Sequence, residues 1–295
     1  MVKIRNLFQK NPYLRHYLNV LFSIFRTFTL AQSLNIQKSK RLLYSNNENK
    51  KILIAGSVSL NPDTFTEYII AEGFLTSHKF YSLKCDSFLK ACFNCKKYLY
   101  NSELLEKQLS KNGPGIICNV CEGRSSKYSN IFNSEELPLS KYLTKENELE
   151  IQIILNQNTS FSDIRNFKLE GINIGLHTYA ATVRFYASPF IENEKYGKQI
   201  LKNYFESALK TYYSVFNLFK KNEFDVVIVN HGIYIPQGII AEVANMLNIK
   251  TLCFATGYRR NTFMVSYGKS YHFDFINKLD FEQRINNYSE EKILN

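Results

Sequence analysis

The stretch DVVIVNHGIYIPQGIIAEVANMLNIKTLCFAT, residues 225–256, contains a complete strand–helix–strand unit. Asp225–Asn230 is a short apolar run typical of a buried strand, Ile239–Asn248 has helical spacing, and Thr251–Thr256 is a second apolar run. Because strands that alternate with helices usually pair in parallel, this stretch predicts a parallel sheet covered by helices. The loop NHGIYIPQG, residues 230–238, then lies at the carboxyl end of the first strand.

The same alternation continues upstream of this stretch. KILIAGS, residues 51–57, has the pattern of a buried strand, and FYSLKC, residues 80–85, has that of a second one. Between them, Thr64 and Glu67 have the spacing of a capping box, which predicts the start of a helix. The predicted fold class is therefore α/β, with a Rossmann-like parallel sheet, helices on both faces, and a Cys-rich, zinc-knuckle-like insertion at about residues 85–130.

The chain of 295 residues is expected to hold one Rossmann-like domain at residues 49–280, between two short segments. Residues 1–48 are predicted to form a basic leader, helical or partly disordered, and residues 281–295 a C-terminal helix or linker stub. The apolar part of the leader, Tyr17–Phe25, is too short to span a bilayer and no signal peptide is visible. These features predict a cytoplasmic protein. An alternative for residues 1–30 is an amphipathic helix in peripheral contact with the inner face of the membrane.

The formal net charge of +11 raises the question of a polyanionic partner. The Lys residues are scattered rather than clustered, which fits a general drift of the composition towards Lys, Asn and Ile. We therefore do not expect nucleic acid as a partner. A non-enzymatic, basic, zinc-binding protein that binds nucleic acid remains the alternative function.

Five of the six cysteines lie in one short segment. CFNC contains Cys92 and Cys95, and CNVC contains Cys118 and Cys121, with 22 residues between the two pairs. Two such pairs can supply four thiolates at tetrahedral geometry, which predicts a structural zinc. Cys85 is a fifth, unused thiol or an alternative ligand, and an iron–sulfur cluster, disulfides and free buried cysteines remain open.

Polar and aromatic residues follow three of the predicted strands. Ligands of parallel α/β sheets bind beyond the carboxyl ends of the strands, so these residues are candidates for binding sugar hydroxyls or phosphate. The chain has neither GxGxxG nor GxxxxGK[ST], and we therefore expect no dinucleotide cofactor. The candidate substrate-binding residues are Asn61, Thr64, Tyr234, Tyr258, Arg259, Arg260, Lys269 and His272.

His231 is the candidate catalytic residue of this group. It follows its strand directly and carries an imidazole that titrates near neutral pH, which suits a general base for an acceptor hydroxyl. A structural, hydrogen-bonded His is the alternative. Because two of the segments follow parallel strands, we expect His231, Tyr258, Arg259 and His272 to line one cleft.

Four segments of the chain carry a resemblance to a known family. They are DTFTEYIIAEGF, LKCDSFLKACFNC, CNVCEG and NHGIYIPQGIIAEVANMLNIKTLCFATGYRRNTFMVSYGKSYH, in this order. In them the chain resembles bacterial capsule and surface-polysaccharide biosynthesis proteins, which are similar to the N-terminal half of two-Rossmann-domain (GT-B type) glycosyltransferases. The resemblance covers about residues 50–280.

The resemblance implies a glycosyltransferase-like protein that forms the acceptor-side half of a two-domain transferase. Its partner would be a sugar or lipid-linked glycan acceptor, and Arg259 and Arg260 would bind acidic sugar, phosphate or pyrophosphate-lipid groups. The sequence after His272 has room only for a linker and a helix, whereas a donor domain needs roughly 150 residues. We therefore expect a second Rossmann-type domain in trans and no activity of this chain alone.

Overall fold

The strands of this protein form one sheet in the computed structural model, which describes residues 50–56, 62–72, 78–97, 103–257, 259, 262–268, 270 and 272. Within these ranges six strands are arranged in the order β3–β2–β1–β4–β5–β6. The first five are parallel, and β6 runs antiparallel to β5. The strands are β1 (Lys50–Ile54), β2 (His78–Lys84), β3 (Glu135–Pro138), β4 (Val226–Asn230), β5 (Lys250–Thr256) and β6 (Phe263–Tyr267).

Helices make the connections between the parallel strands, with eight α-helices in the described ranges. None of them combines the length and the apolar content that crossing a bilayer requires. The α-helices are α1 (Pro62–Glu72), α2 (Glu103–Asn112), α3 (Ile116–Phe132), α4 (Lys145–Gln157), α5 (Phe161–Asn166), α6 (Ile174–Tyr186), α7 (Gly197–Lys221) and α8 (Gln237–Met246). Short 3₁₀ helices lie at Leu139–Tyr142 and Ile191–Asn193.

Helices cover both faces of the sheet. Alternate residues of a strand point to opposite faces, so a strand can contribute side chains to two apolar clusters. Ile52, Ile54 and Ile228 belong to a smaller apolar cluster with α1 and α3. Val227 and Val229 belong to a larger cluster on the other face, which includes buried residues of α6, α7 and α8. The predicted α/β class with a mostly parallel sheet is therefore confirmed.

The start of α1 corrects the predicted capping box. The helix begins at Pro62, and Thr64 is therefore already inside its first turn. A Pro at the first helical position loses no hydrogen bond, because the N–H groups of that turn have no partner within the helix. Glu67 does not cap the helix and instead reaches across to β4.

The Cys-rich segment is part of the sheet's own connectivity rather than a separate insertion. It forms the crossover between the parallel strands β2 and β3, and α3 within it packs on the sheet through Tyr128 and Phe132. The predicted leader, residues 1–48, and the predicted stub, residues 281–295, lie outside the described residues.

Candidate functional site

The strand order creates a point where neighbouring connections leave the sheet in opposite directions. β1 and β4 are adjacent and parallel, but the chain continues from β1 to α1 on one face and from β4 to α8 on the other. A crevice forms beyond the carboxyl ends of two such strands, and it is where open α/β sheets bind their ligands. The residues that follow β1 and β4 are therefore the first candidates for a site.

Asn230 and Glu67 are buried side by side at this point. Glu67 is 1% exposed, and its Oε1 accepts a hydrogen bond of 2.8 Å from the backbone N–H of Asn230. Gly56 gives the carboxylate its space, because a side chain there would collide with Glu67 and Thr64. The Asn230 side chain is also buried, and its Nδ2 has no hydrogen-bond partner among the described residues. A buried donor without a partner destabilises a fold, so this amide is a strong candidate for ligand contact.

His231 follows in a left-handed backbone conformation, with φ of 58°. Its N–H donates to the carbonyl of Phe254 at 2.7 Å, which ties the loop to β5. The half-buried ring lies 5.7 Å from the ring of Phe93 and 5.8 Å from that of Tyr234, centroid to centroid. Burial, followed by the positive charge of Arg184, lowers the pKa of His231 to about 4. The imidazole is therefore neutral at pH 7.

Arg184, in the last turn of α6, supplies a cation that the sequence motifs do not indicate. Its guanidinium carbon lies 3.7 Å from the ring centroid of Phe93 and 4.8 Å from that of Tyr234. One of its nitrogens donates to the Phe93 carbonyl at 2.6 Å. The cation is thus held between aromatic faces next to His231. No local pattern could have revealed it, because α6 reaches this edge only through tertiary packing.

Three contacts fix the loop that carries His231. The N–H of Phe93 donates to the carbonyl of Ile235 at 2.7 Å. The fully buried His177 lies 2.7 Å from the carbonyl of Ile233 through Nδ1, and because a carbonyl only accepts, Nδ1 carries the proton. Gly238 packs directly against this imidazole. The position of His231 is therefore set by α6 and by the Cys segment as well as by its own loop.

The structure brings some of the other predicted binding residues to this edge. His272 is half-buried, and its charge contributes to the lowered pKa of His231, so the two rings lie near each other. Burial also lowers the pKa of His272. Tyr234 packs against His231. The two histidines and Tyr234 thus share one region.

The remaining predicted binding residues do not all join this group. Thr64 is 4% exposed and packs beside Gly56, whereas Arg259 is exposed to solvent. The others lie outside the described residues, and their predicted role in the cleft stays a prediction. These are Asn61, Tyr258, Arg260 and Lys269.

Four thiols surround a cavity of about 20 Å³ beyond the carboxyl end of β2, namely those of Cys85, Cys92, Cys118 and Cys121. Burial raises the pKa of Cys118 to about 12 and raises that of Cys85 as well. Cys95 is fully buried and does not line the cavity. As they stand, no three His, Cys, Asp or Glu side chains of the described residues form a group that could hold a metal ion.

No family model, no curated protein and no solved structure matches this chain. The resemblance to polysaccharide biosynthesis proteins therefore stays a prediction from the residues that carry it. Function has to be inferred from the geometry of the carboxyl edge.

Proposed function

We propose that this chain is a glycosyltransferase-like protein of capsule or surface-polysaccharide biosynthesis, and that the crevice between β1 and β4 binds its sugar or lipid-linked glycan acceptor. The observation that carries the proposal is the buried side-chain amide of Asn230, which has no partner among the described residues, in a residue whose backbone N–H is bonded to the buried Glu67 carboxylate. The strand order 3-2-1-4-5-6 is that of a Rossmann-like sheet, which favours a ligand at the same place.

The chemistry of the crevice suits a polyhydroxylated ligand. A sugar hydroxyl can accept a hydrogen bond from the Nδ2 of Asn230 and donate one to a carboxylate such as Glu67. The rings of Phe93 and Tyr234 lie beside His231, which directly follows Asn230, and Arg184 adds a positive charge next to them. A few placed polar groups beside aromatic walls are typical of small-molecule sites.

His231 would meet the acceptor as a neutral imidazole. In that state its unprotonated nitrogen can take a proton from an acceptor hydroxyl, although a pKa of about 4 makes it a weak base. An acidic group bound nearby, such as the phosphate of a lipid-linked acceptor, would raise the pKa of His231 by favouring its charged form. The acceptor would in this way activate its own base.

The donor site belongs, in this proposal, to a second Rossmann-type domain acting in trans. The phosphates of a nucleotide sugar need a cradle of backbone N–H groups, helix N-termini or cations. In two-domain transferases the reaction takes place in the cleft between the domains, where both reactants are held in attack geometry. This chain would contribute the acceptor side of that cleft.

A transfer assay tests this proposal. The purified chain is incubated with a panel of nucleotide sugars and a polyprenyl-phosphate-linked sugar, with and without a Rossmann-type protein encoded beside it. We expect transfer only when both proteins are present, and we expect His231→Asn to reduce it. His78→Asn is the matched control, because His78 is the first residue of β2 and lies at the amino ends of the parallel strands, away from the proposed crevice. Transfer by the chain alone would refute the need for a second domain, and unchanged transfer by His231→Asn would refute the role of this edge.

A further inference from the structure

The thiol-lined cavity beyond β2 has the size of a single-ion site. Its volume of about 20 Å³ is enough for one guest of about the size of a water molecule. An iron–sulfur cluster, with several metal and sulfide atoms, needs more room than this. Two carboxylates, those of Asp86 and Glu122, also line the cavity, but thiolates outnumber them and are the softer ligands.

The four thiols come from three parts of the backbone, namely the end of β2, the loop after it and the start of α3. Cys85 follows the last residue of β2, and Cys92 lies in the loop after it. Cys118 and Cys121 lie in the first two turns of α3, and their spacing of three puts them on one helix face. The positive end of the helix dipole favours negative thiolates there.

Cys95 is a direct neighbour of Cys92, because the two side chains share a hydrogen bond. It is fully buried, and the Tyr204 hydroxyl lies 3.5 Å from its backbone carbonyl and 3.2 Å from that of Cys92. The cavity lining includes Cys85 and does not include Cys95. The pairing of two C-x2-C motifs suggested by spacing alone therefore differs from the set of thiols that the fold collects.

Two polar groups at the cavity wall suit a negatively charged metal–thiolate centre. The Nδ2 of Asn94 lies 3.4 Å from the sulfur of Cys121, to which it donates a hydrogen bond. Lys84 is buried at the wall and is held there by Ser126 at 2.6 Å and Glu136 at 3.0 Å. Four thiolates around a dication leave a net charge of about −2, which a nearby cation and N–H donors to sulfur stabilise.

We propose that Cys85, Cys92, Cys118 and Cys121 bind one zinc ion in this cavity, and that Cys95 is not a ligand. Four sulfur–zinc bonds form and four thiol protons pass to solvent, without any redox change. The sulfurs have to move closer together than they now stand, and the cavity between them is the space they would close.

A zinc ion in this cavity would also stabilise the carboxyl edge of the sheet, where the acceptor is proposed to bind. Within residues 92–95, Cys92 faces the cavity, Asn94 contacts Cys121, and Phe93 packs on His231 and Arg184. An ion bound to Cys92 would therefore hold the aromatic face of Phe93 in place. The zinc site does not depend on the glycosyltransferase proposal, because its test measures metal and not transfer.

Metal analysis of two single variants separates the two ligand sets. The full chain is purified under reducing conditions without chelator, and zinc, iron and sulfide are quantified. We expect about one zinc per chain in the wild type and in Cys95→Ser, and a loss of most zinc in Cys85→Ser. Zinc retained by Cys85→Ser and lost by Cys95→Ser would overturn the proposed ligands, as would iron with sulfide in place of zinc.

Cobalt substitution keeps the proposal testable where a variant does not fold. Cobalt(II) in a four-thiolate tetrahedral site absorbs strongly in the visible range, and the intensity falls when one thiolate is lost. If Cys85→Ser is insoluble, an unchanged cobalt spectrum of Cys95→Ser supports the proposal and a weakened one contradicts it. If Cys95→Ser is insoluble, a weakened cobalt spectrum of Cys85→Ser supports the proposal and an unchanged one contradicts it. Wild-type chain that contains no metal and takes up neither zinc nor cobalt on titration overturns the site altogether.

Discussion

Two buried asparagines of this fold have opposite hydrogen-bonding situations. Asn203, 4% exposed in α7, donates through Nδ2 to the carbonyl of Leu109 at 2.6 Å. Asn230, 3% exposed at the end of β4, has no partner for its Nδ2 among the described residues. A satisfied amide stabilises the fold, whereas an unsatisfied one costs free energy unless a ligand uses it. The proposed binding role of Asn230 rests on this contrast.

Replacing each of these asparagines by leucine should have opposite effects on stability. We expect Asn230→Leu to leave the free energy of unfolding unchanged or to raise it by about 1 kcal/mol, because a buried unpaired donor is removed. Asn203→Leu should lower the free energy of unfolding by about 1–3 kcal/mol, because the carbonyl of Leu109 loses its donor. Urea unfolding of both variants measures this. A large loss of stability in Asn230→Leu would show that its amide has a structural partner.

The pH dependence of stability tests the environment of His231. Its pKa is about 4 in the fold and about 6.5 in an unfolded chain, so the unfolded state binds the proton more readily. The stability that the neutral ring contributes is therefore present above pH 6.5 and is lost as the pH falls towards 4. We expect this residue to lower the free energy of unfolding by about 2 kcal/mol over that range. The loss is smaller than the whole pKa shift implies, because solvent screens a partly exposed ring.

Unfolding in urea between pH 7 and pH 4 measures that loss. His231→Asn should show a shallower decline than the wild type, and Asn tolerates the left-handed backbone at this position. His78→Asn, at the opposite edge, should decline as the wild type does. Because burial also lowers the pKa of His272, some decline should remain in His231→Asn. Equal slopes for the wild type and His231→Asn would contradict the buried, neutral state of this ring.

At the scale of elements, the docking of α8 on α6 decides where the loop after β4 lies. Gly238, in the first turn of α8, lies against the His177 imidazole and the backbone of Ile233. A β-carbon at this position would come within 2.8 Å of both. The close approach of the two helices therefore depends on the absence of a side chain at residue 238.

Gly238→Ala should lower the free energy of unfolding by about 1–3 kcal/mol or more, because a well-packed contact has to open. Gly123→Ala is the matched control, since Gly123 also lies in a helix but has nothing within 4 Å of the added carbon. This control should gain about 0.5–1 kcal/mol from its better helix propensity. Thermal unfolding of the two variants measures these changes in stability. Equal changes in Gly238→Ala and Gly123→Ala would mean that α8 does not pack closely on His177.

The elements also show which parts of the fold the sequence could predict. β1, β2, β4 and β5 are apolar runs between turn residues, and their pattern is local. β3 was not predicted, because EELP has two charged residues and a Pro and becomes a strand only by pairing with β2. β6 was not predicted either, because its alternation is short and it lies at the edge of the sheet.

The candidate site could be predicted only where its residues follow strands. His231, Tyr234 and His272 were found in this way. Arg184 and Glu67 were not found, because each reaches the edge from a helix and no local sequence motif predicts how that helix packs. The spacing of the cysteines pointed to two C-x2-C pairs, whereas Cys85 lines the cavity and Cys95 does not.

At the scale of the whole molecule, one edge of the sheet carries both proposed sites. The crevice lies where β1 and β4 end, and the thiol cavity lies where the neighbouring β2 ends. The segment that contains Phe93 joins them, with one residue on the cavity and the next on His231. The parallel strands thus bring polar and thiol side chains from distant parts of the chain to one edge of the sheet.

Saturation-transfer NMR with free sugars tests directly whether the crevice at Asn230 binds a sugar. A panel of neutral and acidic mono- and disaccharides is measured against the wild type, Asn230→Leu and the control His78→Asn. We predict that at least one sugar receives saturation from the wild type and from His78→Asn, and that Asn230→Leu binds it about tenfold more weakly while remaining folded. The absence of transfer to every sugar, or equal transfer from Asn230→Leu, would mean that this crevice is not a sugar site.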